Sequence, residues 1–323
     1  MHPFAAARPS LRLTACLVAL TLSISCGSDS SGPNPPASPG QTIYAVDLGN
    51  NFSLFHSASP GTVDRFLPIT GLLTGDRIVG IDFRAVDGKL YGVGIDSRVY
   101  TVDTVTAVAS PVGATFTPAL NGTHFGVVLD PATDRIRIQS AESGQNLRLD
   151  PATGQVTDVD AVLAYATGDA NEGSTPEIAA TAVTTGASAA TYGIDWQLDE
   201  FVVMSDPNSG QLTSVGSTGV VTLACAALDV GANGVVYASM TITPGVVNNL
   251  YTMNVSTGAA TALGSINVGA SIQSIAIAPG SPTSASVGEA SAFASRLPSR
   301  ARAGSERSKA RALSATTGSK ACS

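Results

Sequence analysis

Histidines are too few in this sequence for the commonest kinds of side-chain catalysis. Residues 42–280 contain only His56 and His124, and no Gly-x-Ser-x-Gly motif is present anywhere in the chain. Hydrolysis of the serine type needs a nucleophile, a base and an orienting acid, and catalytic zinc sites generally take several histidines. His124, between Gly122 and Gly126, is a candidate base near a loop. The alternative is a hydrogen-bonded structural histidine at the start of a strand.

Carboxylates are abundant, so calcium is the inorganic ligand that the sequence favours. The stretch Asp169-Ala-Asn-Glu-Gly173 places oxygen-bearing side chains at alternate positions, as the start of a calcium loop does. It is not an EF-hand, because the twelfth position, which would need an acid, is Ala180. We therefore take Asp169, Asn171 and Glu172 as candidate calcium ligands. The alternative is an ordinary long surface loop.

Arginines are concentrated in the first half of the chain. Arg84, Arg135 and Arg148 are candidates for holding an anionic ligand such as a carboxylate through bidentate hydrogen bonds. The alternative is that the arginines pair with nearby acids between structural repeats. The acids available for such pairing are Asp82, Asp87, Asp134 and Asp150.

The elements that would position these side chains recur about every 47 residues. Asp82 and Asp130 are separated by 130 − 82 = 48 positions, and Asp103 and Asp150 by 150 − 103 = 47. Each cycle contains four short β-rich runs separated by turn dipeptides such as Asn233-Gly234. Four strands in 40 to 50 residues is the pattern of one blade of a β-propeller.

The two ends of the body complete one further blade. Residues 274–277 read as a first strand without partners, and residues 42–46, 52–56 and 66–69 read as strands that lack a first one. Joining them closes a ring and removes exposed sheet edges. The sequence therefore predicts an all-β fold, a single propeller-like domain of five four-stranded blades. A two-sheet sandwich is the structural alternative.

The composition agrees with short strands and tight turns. Charged residues make up only 13% of the chain, and 33 of its 323 residues are glycine. The net charge is −7, but residues 42–280 hold 21 acidic and 8 basic residues, so the body carries 21 − 8 = 13 negative charges. Such a body repels phosphate backbones, which argues against nucleic-acid binding.

The N-terminal segment has the pattern of an export signal with a lipid anchor. Arg8 and Arg12 precede an apolar run over residues 13–24, which is shorter than the roughly 20 residues that span a bilayer. It ends before Cys26 in a sequence that resembles the lipobox of bacterial lipoproteins, although Leu22 lies one place too far from the cysteine. We predict a signal peptide over 1–25 and lipidation of Cys26. The alternative is ordinary cleavage near Ser25 and a secreted soluble protein.

Two further segments flank the body. Residues 26–41 are predicted to be the lipidated cysteine and a disordered tether that holds a domain over residues 42–280 away from the membrane. Residues 281–323 are rich in Ser, Ala and basic residues, and we predict a disordered basic tail that contacts anionic lipid, contacts the acidic body, or does neither.

Several motifs of the body are shared with a bacterial family. They are Asp82-Phe-Arg-Ala-Val-Asp-Gly-Lys-Leu-Tyr-Gly92, Leu120-Asn-Gly-Thr-His-Phe-Gly126, Asp134-Arg-Ile-Arg137, Gly144-Gln-Asn-Leu-Arg-Leu149 and Leu163-Ala-Tyr-Ala-Thr-Gly-Asp-Ala-Asn171. At these residues the chain resembles the exported proteins catalogued as domain of unknown function 4394, over roughly residues 42–279. The resemblance implies a secreted or periplasmic β-repeat protein and implies no activity and no catalytic residues.

The predicted function is that of a cell-envelope lipoprotein, a non-enzymatic binding or scaffold propeller whose partner is an envelope protein or a small ligand. The alternative is a calcium-assisted hydrolase or lyase that uses carboxylates at the central channel of the propeller. A purely structural surface protein is the third possibility. No cofactor other than calcium is indicated.

Overall fold

The computed structural model describes residues 40–186, 189–243 and 247–280. The predicted signal peptide, Cys26, nearly all of the tether and the basic tail lie outside these residues. Gln41, which the sequence places in the tether, donates its backbone N–H to Ser57 Oγ over 2.8 Å. The described residues form strands, turns and irregular segments, and none of them belongs to a helix long and apolar enough to cross a bilayer.

The strands of the described residues form five sheets, each of which is one blade of a β-propeller. The first blade contains β21 (Ile272–Ile277), β1 (Thr42–Asp47), β2 (Asn51–His56) and β3 (Ser59–Pro68), and the second contains β4 (Ile78–Phe83), β5 (Leu90–Gly94), β6 (Arg98–Val102) and β7 (Ala109–Val112). The third blade contains β8 (Phe125–Asp130), β9 (Arg135–Ser140), β10 (Asn146–Leu149) and β11 (Val156–Val159), and the fourth contains β12 (Ala164–Tyr165), β13 (Ile178–Val183), β14 (Thr191–Asp195), β15 (Glu200–Met204) and β16 (Gln211–Ser217). The fifth blade contains β17 (Ala226–Val230), β18 (Val236–Thr243), β19 (Val247–Met253) and β20 (Ala260–Ile266).

One strand of each blade lies at the centre of the ring. Each of these innermost strands, β4, β8, β13, β17 and β21, contacts the innermost strand of the blade on either side. The ring closes because β21 pairs antiparallel with β1, with Ile43 opposite Ile277 and Ala45 opposite Ile275. The five blades and their closure by the two ends of the body, as predicted from the sequence, are confirmed.

The fourth blade contains one strand that the sequence analysis did not predict. β12 pairs parallel with the outermost strand β16, with Ala164 opposite Gln211. It is only two residues long and carries none of the alternation that marks a strand in sequence. Its effect is to cover the outer edge of this blade with a segment of the preceding connection.

The hydrophobic core is divided among the spaces between adjacent blades. The fully buried large side chains include Phe52, Tyr100, Phe116 and Phe201, which lie in different parts of the propeller. The inner strands of a blade, such as β4, β5 and β8, are buried along nearly their whole length, because both of their faces are covered by neighbouring blades. The outermost strands, such as β3 and β11, remain largely exposed. The burial of the inner strands explains why they read as short continuous apolar runs.

Two glycines let the innermost strands approach one another. A Cβ atom at Gly80 would clash with the side chain of Val127 in the next blade, and one at Gly126 would clash with Thr181 in the blade after that. A residue without a side chain is required where two backbones come this close. The spacing of the blades around the channel therefore depends on these two positions.

Replacement of Gly80 by alanine should destabilise the fold by about 1–3 kcal/mol, because the added methyl group overpacks the contact with Val127. The measurement is urea-induced unfolding followed by circular dichroism. Gly269→Ala is the matched control, since a Cβ atom at this exposed position meets nothing within 4 Å. Equal unfolding midpoints for the two variants would contradict the packing explanation.

Candidate functional site

A cavity of about 400 Å³ lies where the carboxyl ends of the five innermost strands meet. Each blade supplies one wall segment, and these segments begin at Asp82, Val128, Val183, Asp229 and Ile277; Arg84 and Asp130 belong to the same stretches of chain but do not line the cavity. We call this cavity the carboxyl mouth. Its volume lies within the range of small-molecule sites, which are concave, largely apolar and supplied with a few polar groups.

Two aspartates supply the charge of the carboxyl mouth. Asp82 and Asp229 are each only 8% exposed, and they are the only charged residues that line the cavity among those the structure describes. The remaining walls include Phe83, Leu129 and Ile277. The cavity therefore combines apolar walls with two carboxyl groups and no basic side chain.

Each aspartate binds two backbone N–H groups, one in its own blade and one in the next. Phe83 and Leu129 donate to Asp82, at 2.6 Å to Oδ1 and 2.5 Å to Oδ2. In the same way, Val230 and Ile277 donate to Asp229 over 2.6 and 2.5 Å. The two side chains thus link the second blade to the third and the fifth to the first.

Burial dominates the protonation of this pair. Desolvation raises the pKa of Asp229 to about 7, although the N–H groups of Ile277 and Val230 act in the opposite direction. Desolvation also raises the pKa of Asp82 well above its usual value, and the nearby charge of Asp229 raises it further. Removing a carboxylate from water disfavours its charged form, and a second carboxylate adds repulsion. The pair therefore gains and loses protons near neutral pH.

Asp82 and Asp229 occupy equivalent register positions in their blades. Asp82 is opposite Tyr91 in the first hairpin of its blade, and Asp229 is opposite Tyr237 in the equivalent hairpin. The corresponding positions, opposite Tyr44 and Tyr192, are Ala276 and Ala182. Ala182 and Ala276 belong to the hydrophobic core and do not line the carboxyl mouth, so among these four positions only Asp82 and Asp229 place a side chain at the cavity.

Sequence reasoning did not identify this pair as a site. Asp82 served only as a marker of the repeat and as an acid for pairing with arginine, and Asp229 was not considered as a site residue. A usable signal was present, because each is a single acid within an otherwise apolar strand, where charged residues are rarely buried without a reason.

The three candidate anion-binding arginines do not share one pocket. Arg84 donates to Asp134 of the next blade over 2.8 and 2.6 Å, and its pKa is raised chiefly by this hydrogen bond. Arg135 donates to the backbone carbonyl of Asp134 over 2.8 Å. Arg148 forms a bidentate pair with Asp160, with both distances 2.7 Å. Arg84 and Arg148 therefore pair with acids, whereas Arg135 binds a backbone carbonyl.

The candidate calcium loop is fastened to the fourth blade by a serine. Asp169 accepts hydrogen bonds from the backbone N–H and the hydroxyl of Ser214, both over 2.8 Å. Asn171 also donates to the Ser214 hydroxyl, and Glu172 accepts from the N–H of Gly168. Within residues 40–186, 189–243 and 247–280, no three His, Cys, Asp or Glu side chains are grouped to hold a metal ion.

The opposite end of the channel carries a different set of polar residues. The residue immediately before each innermost strand is polar or sulfur-containing: Arg77, His124, Glu177, Cys225 and Ser271. His124 lies 3.0 Å from Glu142 through Nδ1, and both side chains are buried. His124 is therefore held by hydrogen bonding directly before β8, in line with the structural alternative given above.

One protein family and several solved structures are similar to this chain. The sequence pattern of the family described as Domain of unknown function (DUF4394) matches residues 51–276. No curated protein matches the chain. Similar solved structures include a protein of unknown function from Bacteroides caccae, with 10% identity, coverage of 75% of this chain and 100% of that chain, and a TM-score of 0.39.

Two other solved structures resemble the chain to a similar extent. A chain of the nidogen/laminin complex is 11% identical, with coverage of 74% of this chain and 98% of that one and a TM-score of 0.45. A streptogramin B lyase is 12% identical, with coverage of 59% and 56% and a TM-score of 0.38. At these identities the likeness concerns the fold alone.

The free energy of unfolding should fall as the pH rises from about 5 to about 8. The folded protein retains a proton on Asp229 up to a pKa of about 7, whereas the unfolded chain releases it near the ordinary value of 3.8. Since the unfolded state binds fewer protons, the slope is negative, with a limit of about 1.4 kcal/mol per pH unit for one group. Asp229→Asn should flatten this slope in urea unfolding measured across the range.

Asp103→Asn is the control for this measurement. Hydrogen bonding, chiefly from the N–H of Thr106, lowers the pKa of Asp103, so its titration ends below the pH range used. This variant should retain the slope of the parent protein. Because burial also raises the pKa of Asp82, part of the slope should remain in Asp229→Asn. A slope in Asp229→Asn as steep as that of the parent protein would show that Asp229 does not hold its proton as described.

Proposed function

Because the chain belongs to the family described as Domain of unknown function (DUF4394), whose description assigns no activity, we propose a function from its own features. The protein is a cell-envelope lipoprotein that binds a ligand without transforming it. Its ligand is an organic cation with an apolar body, held in the carboxyl mouth. The observation that carries this proposal is the cavity itself, in which Asp82 and Asp229 are the only charged lining residues among those described.

The charge of the cavity supports a cation. Each carboxyl group uses its two oxygens to accept one N–H each, and a carboxylate oxygen has a second lone pair available. An ammonium group placed between Asp82 and Asp229 would compensate negative charge that no basic residue of the described cavity lining compensates. Its arrival would also favour release of the proton that the pair holds near neutral pH.

The walls of the cavity support an apolar body attached to that cation. Phe83, Val128, Val183 and Ile277 come from four different blades and line the same space. The ring of Phe83 is fixed by an edge contact with Tyr44, with 5.6 Å between the ring centroids. An aromatic face near a cation adds attraction. A small hydrated metal ion would leave these apolar walls unused.

The place of action is proposed from the N-terminal sequence. The apolar run over residues 13–24, Cys26 and the Pro- and Ser-rich stretch that follows support export, lipidation and a tether. The acidic body would then face the aqueous side of the envelope. A binding module in this position can collect its ligand without a cofactor.

An enzymatic alternative uses the same two carboxyl groups. An acid whose pKa lies at about 7, as burial sets it for Asp229, suits a general acid or base at neutral pH. A calcium-assisted hydrolase or lyase would in addition need at least six oxygen ligands for the metal. Calcium would stabilise the protein against unfolding if this alternative holds, and Asp82→Asn or Asp229→Asn would remove that stabilisation. Such a result would favour the enzyme over simple cation binding.

The proposed ligand class can be tested with three probes of similar size. n-Hexylammonium should bind the protein in isothermal titration calorimetry, whereas n-hexanol and n-hexanoate should bind weakly or not at all. Affinity for hexylammonium should rise as the pH increases from about 6 to about 8, because the pair loses its proton over that range. Asp229→Asn should weaken binding at least about tenfold, the loss of one buried charge contact.

The control for the probe experiment is Asp103→Asn, which removes an exposed acid outside the cavity and should leave the affinity unchanged. Equal affinities for the cation and for hexanol would show that the cavity binds apolar molecules without selecting for charge. Failure of all three probes to bind would reject the proposed function.

Replacement of Cys26 by serine should move the protein from the membrane fraction to the soluble fraction of cells that express it. The variant should also lose labelling by a fatty-acid analogue, since no thiol remains at the predicted cleavage site. Cys16→Ser is the control, because Cys16 lies within the predicted signal peptide. Release of both variants, or of neither, would contradict anchoring through Cys26.

A further inference from the structure

We propose that the basic C-terminal tail of this chain, residues 281–323, docks into the carboxyl mouth and places Arg296 between Asp82 and Asp229. The tail then acts as an internal ligand that competes with the external cation. This inference rests on the proposed function, because it concerns the regulation of the same cavity. The occupant proposed for the cavity is a segment of the same chain.

The course of the chain brings the tail to the cavity. β21 ends at Ile277, and Ala278, Pro279 and Gly280, the last residues before the tail, all line the carboxyl mouth. Ala278 is still fixed to the body, since its N–H donates to the carbonyl of Thr42 over 2.9 Å. The tail therefore starts at the wall of the cavity rather than on a remote face.

Charge complementarity favours this occupant. The tail contains seven Arg or Lys and two Glu, which gives 7 − 2 = 5 positive charges, and residues 42–280 carry 13 negative charges. The tail is the first source of basic side chains after Arg148. Within the described chain, Asp82 and Asp229 have no basic residue beside them in the cavity. A guanidinium group can engage a carboxylate in two parallel hydrogen bonds.

The sequence around Arg296 also suits the apolar walls. Phe293 and Leu297 flank this arginine, and they would lie against a cavity that Val183, Leu129 and Phe83 line. Arg296 thus has the two properties of the proposed external ligand, a cation and an adjoining apolar body. Arg300 and Arg302 follow closely and would extend the contact toward the rim.

The length of the connection allows the contact. Sixteen positions separate Gly280 from Arg296, since 296 − 280 = 16. The sequence predicts a flexible linker rich in Ser and Ala, and such a linker of that length would span on the order of 22 Å. A tethered group within such a radius has an effective concentration in the millimolar range. Even a weak contact is then well populated in the same molecule.

The test compares two full-length variants with equal changes in charge. The proximal variant carries Arg296→Gln, Arg300→Gln and Arg302→Gln, and the distal control carries Arg307→Gln, Lys309→Gln and Arg311→Gln. We expect the proximal variant to bind n-hexylammonium about three- to tenfold more tightly than the parent protein, because fewer molecules are occupied by their own tail. The distal variant should differ from the parent by less than about twofold.

A peptide of residues 292–304, added to the proximal variant, gives a second and direct measurement. It should compete with hexylammonium, and Asp82→Asn introduced into the proximal variant should weaken its binding. Unchanged hexylammonium affinity in the proximal variant would overturn the tail contact and leave the proposed function intact. If no variant binds hexylammonium, the proposed function fails. The peptide then decides the tail contact by itself: if Asp82→Asn does not weaken peptide binding, the tail contact is overturned as well.

A membrane role for the tail is a further outcome of the same experiment. Vesicles of phosphatidylglycerol that bind the parent but not the proximal variant, with no difference in hexylammonium affinity, would assign these arginines to anionic lipid. That result would overturn docking into the carboxyl mouth.

Discussion

The antiparallel pairing of β21 with β1 joins residues from opposite ends of the body, with Ile43 opposite Ile277, and the remaining structure depends on it. Without it, the first blade would lack its innermost strand, and the innermost strands of the second and fifth blades would each lose a neighbour. A closed ring leaves no long unpaired sheet edge at its seam. It also fixes the distance across the channel, because each innermost strand must contact two others.

Closure has a chemical consequence at the carboxyl mouth. Five strand ends that meet at one axis create a small cavity, and two of them contribute a buried acid at equivalent positions. The backbone N–H groups around Asp82 and Asp229 favour their charged forms, while burial and mutual repulsion favour the protonated forms. The second influence is the larger one. The result is a cavity that holds exchangeable protons near neutral pH. A cationic ligand would act on this protonation.

Most of the fold could be predicted from the sequence because each blade is a local unit. Hairpins such as β4–β5, with Asp82 opposite Tyr91, join segments a few residues apart, so apolar runs and turn glycines were enough to locate them. β12 could not be found in this way, since two residues have no recognisable period. The loop at Asp169 shows another limit. Its spacing of oxygens resembled a metal site, whereas contact with Ser214, 45 positions away, accounts for its main hydrogen bonds.

The sequence by itself determined the number of blades, the order of their strands and the closure of the ring, because a repeat of about 47 residues and an apolar run at each end admit few other arrangements. It also determined the acidity of the body, which is a matter of composition. Only the tertiary structure decided which charges meet. Asp82 and Asp229 are 147 positions apart, and no local pattern relates them. They interact because the ring brings the second and fifth blades to one axis, and only burial at that axis makes two ordinary aspartates a site.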